Sequence, residues 1–191
     1  MIKKFLFVLL SVGFLHFATY AQTTRNYIEE NVPLAQRLMK ENNIPASIIL
    51  GIAIHESAAG TSKIARYLNN HFGVKGQNDS KQIKSSYKSY SSVEDSYHHF
   101  IDFLQSRTAF SNLFIKYGDD NYAGWAKGIQ RGGYAHSKTW SAQVIALIKK
   151  YELFKYDKDP EATLRMLGPV TALSKNLKPA PVKKLKITNE K

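Results

Sequence analysis

The sequence contains no cysteine, and this absence excludes several kinds of chemistry. Disulfide bonds, thiolate nucleophiles and cysteine-ligated zinc or iron–sulfur sites are impossible, so the fold must be held together by packing. Acidic residues are also few, since 15 Asp and Glu stand against 27 Lys and Arg, giving a formal net charge of +12. Such a basic surface favours a polyanionic partner, and nucleic acid, anionic lipid headgroups and anionic cell-wall polymers all qualify.

The apolar stretch near the N-terminus, 5–17, is shorter than the roughly 20 residues that a membrane-spanning helix needs. Two lysines precede this stretch, and the small residues Thr19 and Ala21 follow it. This pattern is typical of a secretory signal peptide. We therefore predict that residues 1–21 are a cleaved signal peptide and that the protein is exported to the periplasm, the cell wall or the medium.

The composition of the remaining chain is that of one folded domain followed by a tail. The chain is 43% hydrophobic and 12% aromatic over 191 residues, which is sufficient for a single core. Helical periodicity recurs along 22–156, whereas polar alternation from 77 to 90 predicts a small, partly exposed β-hairpin. We therefore predict a mainly α-helical domain at 22–156 with a β-hairpin lobe, and a flexible, Pro/Lys-rich basic tail at 157–191.

One carboxylate continues the apolar face of a predicted helix. Glu56 follows Ile52 at helical spacing, and Gly60 is placed to end the helix. Burial and the negative end of the helix dipole both disfavour the charged form of a carboxyl group there, which suits a general acid. The alternative is a structural glutamate that reaches solvent or pairs with Lys63 or Arg66.

Three motifs in order resemble the glucosaminidase domain of bacterial peptidoglycan hydrolases, which includes flagellar and autolysin-type enzymes of glycoside hydrolase family 73. The first, A-x-x-E-S-x-x-G-x-S, is matched by Ala53, Glu56, Ser57, Gly60 and Ser62. The second, N-N-x-F-G-I-K, is matched by Asn69, Asn70, Phe72, Gly73, Val74 and Lys75. The closing motif, A-x-x-L-Q-x-x-G-Y-A, is matched by Ala126, Ile129, Gln130, Gly133, Tyr134 and Ala135. The sequence then departs from the family pattern, which continues with Thr, Asp and Pro, at His136, Ser137 and Lys138.

The resemblance implies a lysozyme-like fold and an endo-β-N-acetylglucosaminidase that cleaves the β-1,4 bond after N-acetylglucosamine in peptidoglycan. It implies that Glu56 is the catalytic acid and that the Tyr134 hydroxyl orients the acetamido group of the reacting sugar. It implies no metal and no organic cofactor. It also points to side chains that line the sugar groove or stack on sugar rings, and their alternative is local packing. These side chains are Asn69, Asn70, Phe72, Tyr87 and Tyr90.

The group that completes the reaction is left open by the sequence. Glu94 and Asp95 are candidates for a base, although helix capping also accounts for both, and Asp79 in the predicted hairpin is a further candidate. Alternatively, the 2-acetamido group of the substrate acts as the nucleophile. Because no other residues supply a zinc-like ligand set, we interpret His98 and His99 as structural.

Two other functions remain compatible with the sequence. A lytic transglycosylase on the same architecture also works with a single glutamate, and a non-catalytic cell-wall-binding or assembly protein would retain the groove. We expect a monomer that binds peptidoglycan glycan strands, and no nucleic-acid-binding module is recognisable. The basic tail either binds anionic wall polymers or only increases solubility.

Overall fold

The computed structural model of the protein describes residues 23–158. Helix α1 covers 23–42 of these residues. It is followed by α2 (Ala46–Ser57), α3 (Lys63–Leu68), α4 (Val93–Gln105), α5 (Thr108–Ser111), α6 (Leu113–Lys116), α7 (Tyr122–Arg131), α8 (Trp140–Lys150) and a 3-10 helix, η1 (Leu153–Asp157). The predicted signal peptide lies outside the described residues, as does all but the first two residues of the predicted tail. Within 23–158, no helix combines the length and the apolar character that crossing a membrane requires.

Helix α2 occupies the centre of the fold because its sequence is apolar on all sides. Ten of its twelve residues are buried, as expected of a helix without a polar face. It packs against α7, α8 and η1. Its crossing with α8 is close at Gly51, where a Cβ atom would lie 2.8 Å from Cγ1 of Ile148. The centre of the core is therefore the helix that carries Glu56.

The N-terminus of α2 is capped by a residue near the C-terminal end of the described chain. Pro45, which precedes the helix, supplies no side-chain cap. Instead, Asp157 in η1 accepts hydrogen bonds from the backbone N–H of Ser47 at 2.7 Å and from its hydroxyl at 2.6 Å. These bonds satisfy one of the unpaired amides that every helix N-terminus exposes.

The end of α2 differs from the sequence prediction, which placed the helix terminator at Gly60. The helix ends at Ser57, and Ala58 and Ala59 already have φ values of 52° and 53°, ahead of Gly60 at 76°. The Ser57 hydroxyl donates to the carbonyl of Ala53 and accepts from the N–H of Gly60. These bonds stabilise the left-handed turn immediately after Glu56, although alanine is unfavourable in that conformation.

The predicted mainly helical architecture is confirmed. Ser92 caps α4 in a capping box, because its hydroxyl accepts from the N–H of Asp95 while the Asp95 carboxylate accepts from the N–H of Ser92. Helix α1 continues through Pro33, so the helix does not begin there.

The predicted β-hairpin lobe at 77–90 is wrong. Among residues 23–158 there is no β-strand, and Lys75 and Tyr87 form an isolated antiparallel bridge. Side chains take up backbone groups that a hairpin ladder would use: Asn78 donates to the carbonyls of Ile83 and Ser85. The polar alternation therefore belongs to a loop closed at its base, because local side-chain hydrogen bonds compete with strand pairing.

Candidate active site

Glu56 lies in the last turn of α2, where one of its carboxylate oxygens is fixed by an indole. Oε1 accepts a hydrogen bond of 2.7 Å from Nε1 of Trp140, the first residue of α8. Trp140 is buried, and its ring is contacted edge-on by His55 at 6.2 Å between centroids. The packing of α8 against α2 thus holds the carboxyl group in one orientation.

The second carboxylate oxygen of Glu56, Oε2, faces the backbone of a glycine, Gly73. A Cβ atom at Gly73 would lie 3.3 Å from Oε2 and 4.0 Å from Cε1 of Tyr87. Gly73 also has a φ of 65°, which favours glycine. The glycine leaves space beside the carboxyl group, and the Tyr87 ring borders this space.

The segment 69–76 is held in place by its two asparagines. Asn69 caps the C-terminal end of α3 at a φ of 51°, and its amide donates to the carbonyl of Tyr90. The Asn70 side chain is 1% exposed, donates to the carbonyls of Val74 and Lys88, and accepts from the N–H of Val74. Both side chains, predicted to line a sugar groove, make hydrogen bonds that fix the loop.

Phe72 faces the protein interior. Its side chain is 2% exposed and stacks on Phe100, with 4.2 Å between ring centroids and 6° between planes. Its carbonyl oxygen accepts a hydrogen bond of 2.7 Å from the hydroxyl of Tyr134. Phe72 therefore contributes to the site beside Gly73 through its backbone carbonyl and not through its ring.

Tyr134 joins the 69–76 segment to the aromatic cluster around Glu56. Its ring lies 5.3 Å from Trp140 and 5.8 Å from Phe103, measured between centroids. Burial raises the pKa of Tyr134 well above its ordinary value, and the charge of Glu56 adds to the effect. Tyr134 therefore keeps its proton, which it donates to the Phe72 carbonyl, while the lone pairs of its oxygen remain available as acceptors.

A cleft of about 700 Å³ opens beside Tyr134 and the 72–76 segment. Its walls combine the 72–76 backbone with one face of α4 and the start of the following turn. The lining residues are Phe72, Gly73, Val74, Lys75, Gly76, Lys88, His99, Asp102, Phe103, Ser106, Arg107, Tyr134 and His136. Across residues 23–158, no three histidine, aspartate or glutamate side chains are grouped closely enough to hold a metal ion.

The carboxylates proposed from sequence as a second catalytic group make other contacts. Glu94 pairs with Arg37 of α1 and lies 3.5 Å from His98. Asp95 belongs to the capping box of α4, and Asp79 accepts a hydrogen bond from the side chain of Gln77. Neither these three carboxylates nor Glu56 is among the residues that line the cleft, but Glu56 lies against the lining residue Gly73.

Tyr90 binds a residue of the cleft wall. Its hydroxyl lies 2.6 Å from Nδ1 of His99, and burial raises the pKa of Tyr90 to about 12. Burial also lowers the pKa of His99, and Lys88 and Arg107 lower it further while Asp102 opposes them. A protonated phenol and a neutral imidazole therefore share this hydrogen bond.

Sequence reasoning missed Trp140, Asp102 and Arg107 as residues of this site. For Asp102 a signal existed, because His99, Asp102 and Ser106 recur at helical spacing on the face of α4 opposite its apolar stripe. For Trp140 the sequence offers no such signal, because its indole reaches Glu56 across 84 residues of sequence.

The sequence model of the Glucosaminidase family, described as mannosyl-glycoprotein endo-beta-N-acetylglucosaminidase, matches residues 32–153. The exo-glucosaminidase LytG of Bacillus subtilis (strain 168) is 28% identical, over 64% of this chain and 50% of LytG. The peptidoglycan hydrolase FlgJ of Vibrio parahaemolyticus is 22% identical, over 66% of this chain and 47% of FlgJ. The chain thus spans half or less of the length of these relatives.

Solved structures with the same fold include the catalytic domain of the autolysin Auto from Listeria monocytogenes. It superposes with a TM-score of 0.60 at 22% identity, covering 70% of this chain and 87% of that one. The glycoside hydrolase domain of FlgJ from Salmonella typhimurium gives a TM-score of 0.57 at 18% identity, covering 81% of this chain and 99% of that one. At these identities the likeness shows the fold.

Proposed function

The chain belongs to the Glucosaminidase family of glycoside hydrolases, and we propose that it cleaves the β-1,4 bond after N-acetylglucosamine in the glycan strands of peptidoglycan. The observation that carries this proposal is the Glu56 carboxyl, which is held by Trp140 and faces Gly73, a residue that lines the cleft. Relatives named for glucosaminidase or peptidoglycan hydrolase activity support the choice of substrate. Because that substrate lies outside the cytoplasm, the proposal includes export of the protein.

Glu56 acts as the general acid. Trp140 fixes Oε1, so Oε2 is the oxygen beside Gly73 where a glycosidic oxygen approaches. The proton passes from Glu56 to that oxygen as the bond between it and the anomeric carbon breaks. Positioned proton transfer of this kind contributes about 10²- to 10⁴-fold to the rate.

The 2-acetamido group of the substrate supplies the nucleophile. Its carbonyl oxygen bonds to the anomeric carbon as the leaving group departs, and water then opens the resulting oxazolinium ring and returns a proton to Glu56. Tyr134 supports this route, because its proton is donated to the Phe72 carbonyl and its oxygen remains able to accept the acetamido N–H. The contacts of Glu94 and Asp95 give them no part in this scheme.

The experiment that tests the proposal is mass spectrometry of muropeptides released from purified sacculi by the wild type and by Glu56→Gln. The wild type should release fragments ending in reducing N-acetylglucosamine, and Glu56→Gln should be slower by about 10²- to 10⁴-fold. The matched control is Glu41→Gln, which removes an exposed carboxylate at the end of α1 and should leave the rate unchanged.

Other outcomes identify other functions. Anhydro-sugar ends would show a lytic transglycosylase, and undiminished release by Glu56→Gln would show that the cleft only binds glycan. The nucleophile is tested separately, since Glu94→Gln and Asp95→Asn should each keep the rate within about threefold when the substrate attacks itself. A loss as large as that of Glu56→Gln in either variant would assign that carboxylate as the base.

A further inference from the structure

The cleft carries positive charge that the proposed cleavage chemistry does not use. Lys75, Lys88 and Arg107 line it together with Tyr134. Among residues 23–158, Asp102 is the one carboxylate in this lining. The residues of the cleft therefore hold more positive than negative charge.

Among residues 23–158, these three cations have no carboxylate partner in an ion pair. Within the described part of the chain, no carboxylate lies within 4 Å of Lys75, Lys88 or Arg107, whereas Arg37 outside the cleft is paired with Glu94. Like charges held in one concave surface repel one another and raise the local concentration of anions. The arrangement is that of a surface completed by an anionic ligand.

Contacts of the Lys88 backbone and of the Arg107 side chain place two of these residues in the cleft. The backbone of Lys88 donates to the Val74 carbonyl at 2.9 Å and accepts from the Asn70 amide at 2.8 Å. The guanidinium carbon of Arg107 lies 3.4 Å from the centroid of the Phe103 ring, in a cation–π contact. A guanidinium stacked in this way presents a planar set of donors that matches a carboxylate.

Lys88 and Arg107 both act on His99, another residue of the cleft lining. Lys88 comes from the loop that follows the 69–76 segment, and Arg107 follows the end of α4. After burial, the charges of these two cations lower the pKa of His99, and all three residues line the cleft. An anion bound beside His99 would therefore be attracted by both cations.

We propose that Lys88 and Arg107 bind free carboxylates of the peptide stems that muramic acid carries in peptidoglycan. The inference rests on the proposed function and narrows its substrate to stem-bearing strands with free carboxylates, rather than neutral polymers of N-acetylglucosamine. The stem is favoured over a separate anionic polymer because the cations line the same cleft as Tyr134, whose hydroxyl binds the residue next to Gly73. A stem would therefore lie beside the sugars being cleaved.

The test measures binding, so that it does not depend on cleavage. Glu56→Gln protein is titrated with uncross-linked peptidoglycan tetrasaccharides, either with free stem carboxylates or after their conversion to amides with carbodiimide and ammonia. The free form should bind about tenfold more tightly at low salt, and this preference should shrink as salt is added. Adding Lys88→Gln and Arg107→Gln should remove the preference, because the free form then loses the cations that bind its carboxylates.

The matched control removes two exposed lysines outside the cleft, Lys127→Gln and Lys149→Gln, and should keep the preference. Equal binding of the free and amidated forms would overturn the inference, as would an equal loss in the control. Competition by poly(glycerol phosphate) as strong as by the free stem would also overturn it, because the cleft would then bind anions without regard to the stem. Cleavage by the wild type is measured separately, so a failure of the proposed function is distinguished from a failure of stem recognition.

Discussion

The two sides of the 69–76 segment treat polar groups in opposite ways. On the interior side, His71 is buried, its Nδ1 binds the Tyr27 hydroxyl at 2.7 Å, and that hydroxyl also lies 2.9 Å from the hydroxyl of Tyr97. On the cleft side, Lys75 and Lys88 have no carboxylate partner among residues 23–158. Buried polar groups must be paired inside the protein, whereas the groups of the cleft are available to a ligand. The interior side should therefore control stability, and the cleft side should control turnover.

The largest expected effect is a loss of folding stability at low pH, and it arises on the interior side. Burial lowers the pKa of His71 to about 4 from its ordinary 6.5. The folded state thus keeps His71 neutral where the unfolded chain takes up a proton, so the free energy of unfolding should fall as the pH drops from 6.5 to 4. The loss over that window should be about 3 kcal/mol, measured by urea denaturation.

Two variants separate His71 from the other groups that titrate in this range. His71→Gln should unfold with a shallower dependence on pH, because the group that resists protonation is gone. His98→Gln removes an exposed histidine and should keep the dependence of the wild type. The same pH dependence in His71→Gln as in the wild type would contradict the assignment.

The next largest effect is expected on the cleft side, for Tyr134→Phe. Loss of the hydroxyl removes the donor to the Phe72 carbonyl and the proposed acceptor for the acetamido group. We expect kcat to fall about thirtyfold, or about 2 kcal/mol in transition-state stabilisation, as measured by release of reducing ends. Tyr156→Phe, at a partly exposed tyrosine of η1, is the control. A rise in KM with an unchanged kcat would contradict the proposed role of Tyr134 in the reaction.

Tyr27→Phe should lower the stability of the fold while leaving turnover nearly unchanged, which is the opposite of the effect expected for Tyr134→Phe. It leaves His71 Nδ1 and the Tyr97 hydroxyl without their shared partner, which should lower the free energy of unfolding by about 1.5 kcal/mol. Turnover should stay within about twofold. Tyr151→Phe is matched in burial but makes no side-chain hydrogen bond among the described residues, so it should cost less stability. A large loss of turnover in Tyr27→Phe would show that the two sides are coupled.

The smallest effect is expected for Trp140→Phe, measured against Trp125→Phe. Both indoles are buried and both donate from Nε1, Trp140 to Glu56 and Trp125 to the carbonyl of Gly118. Both variants should lose stability, but only Trp140→Phe should lower kcat, by about tenfold, because Glu56 loses its orienting donor. Equal turnover in the two variants would show that the bond to Glu56 does not matter for catalysis.

Local patterns in the sequence predicted the helical part of this fold and failed where contacts are distant. The apolar run of α2 and the Ser92 cap of α4 are local signals, and both appear in the structure. The 77–90 stretch alternates like a strand, but Asn78 bonds its own loop instead, and periodicity does not register such competition.

The candidate site was less predictable than the fold. Glu56 and Tyr134 came from motifs, and the structure brings both of them to Trp140. The Trp140 bond and the meeting of Lys88 with Arg107 at one cleft depend on how separate helices pack. No spacing rule within one element contains that information.

The hydrogen bonds between Asp157 and Ser47 set a limit on how far the protein can be shortened. Asp157 lies at the end of η1, beyond the last residue matched by the family model. It closes the first turn of α2, and Glu56 stands in the last turn of the same 12-residue rod, about 18 Å long. A truncation chosen from the family boundary would therefore loosen the helix that positions the proposed acid, while leaving every residue of the cleft in the chain.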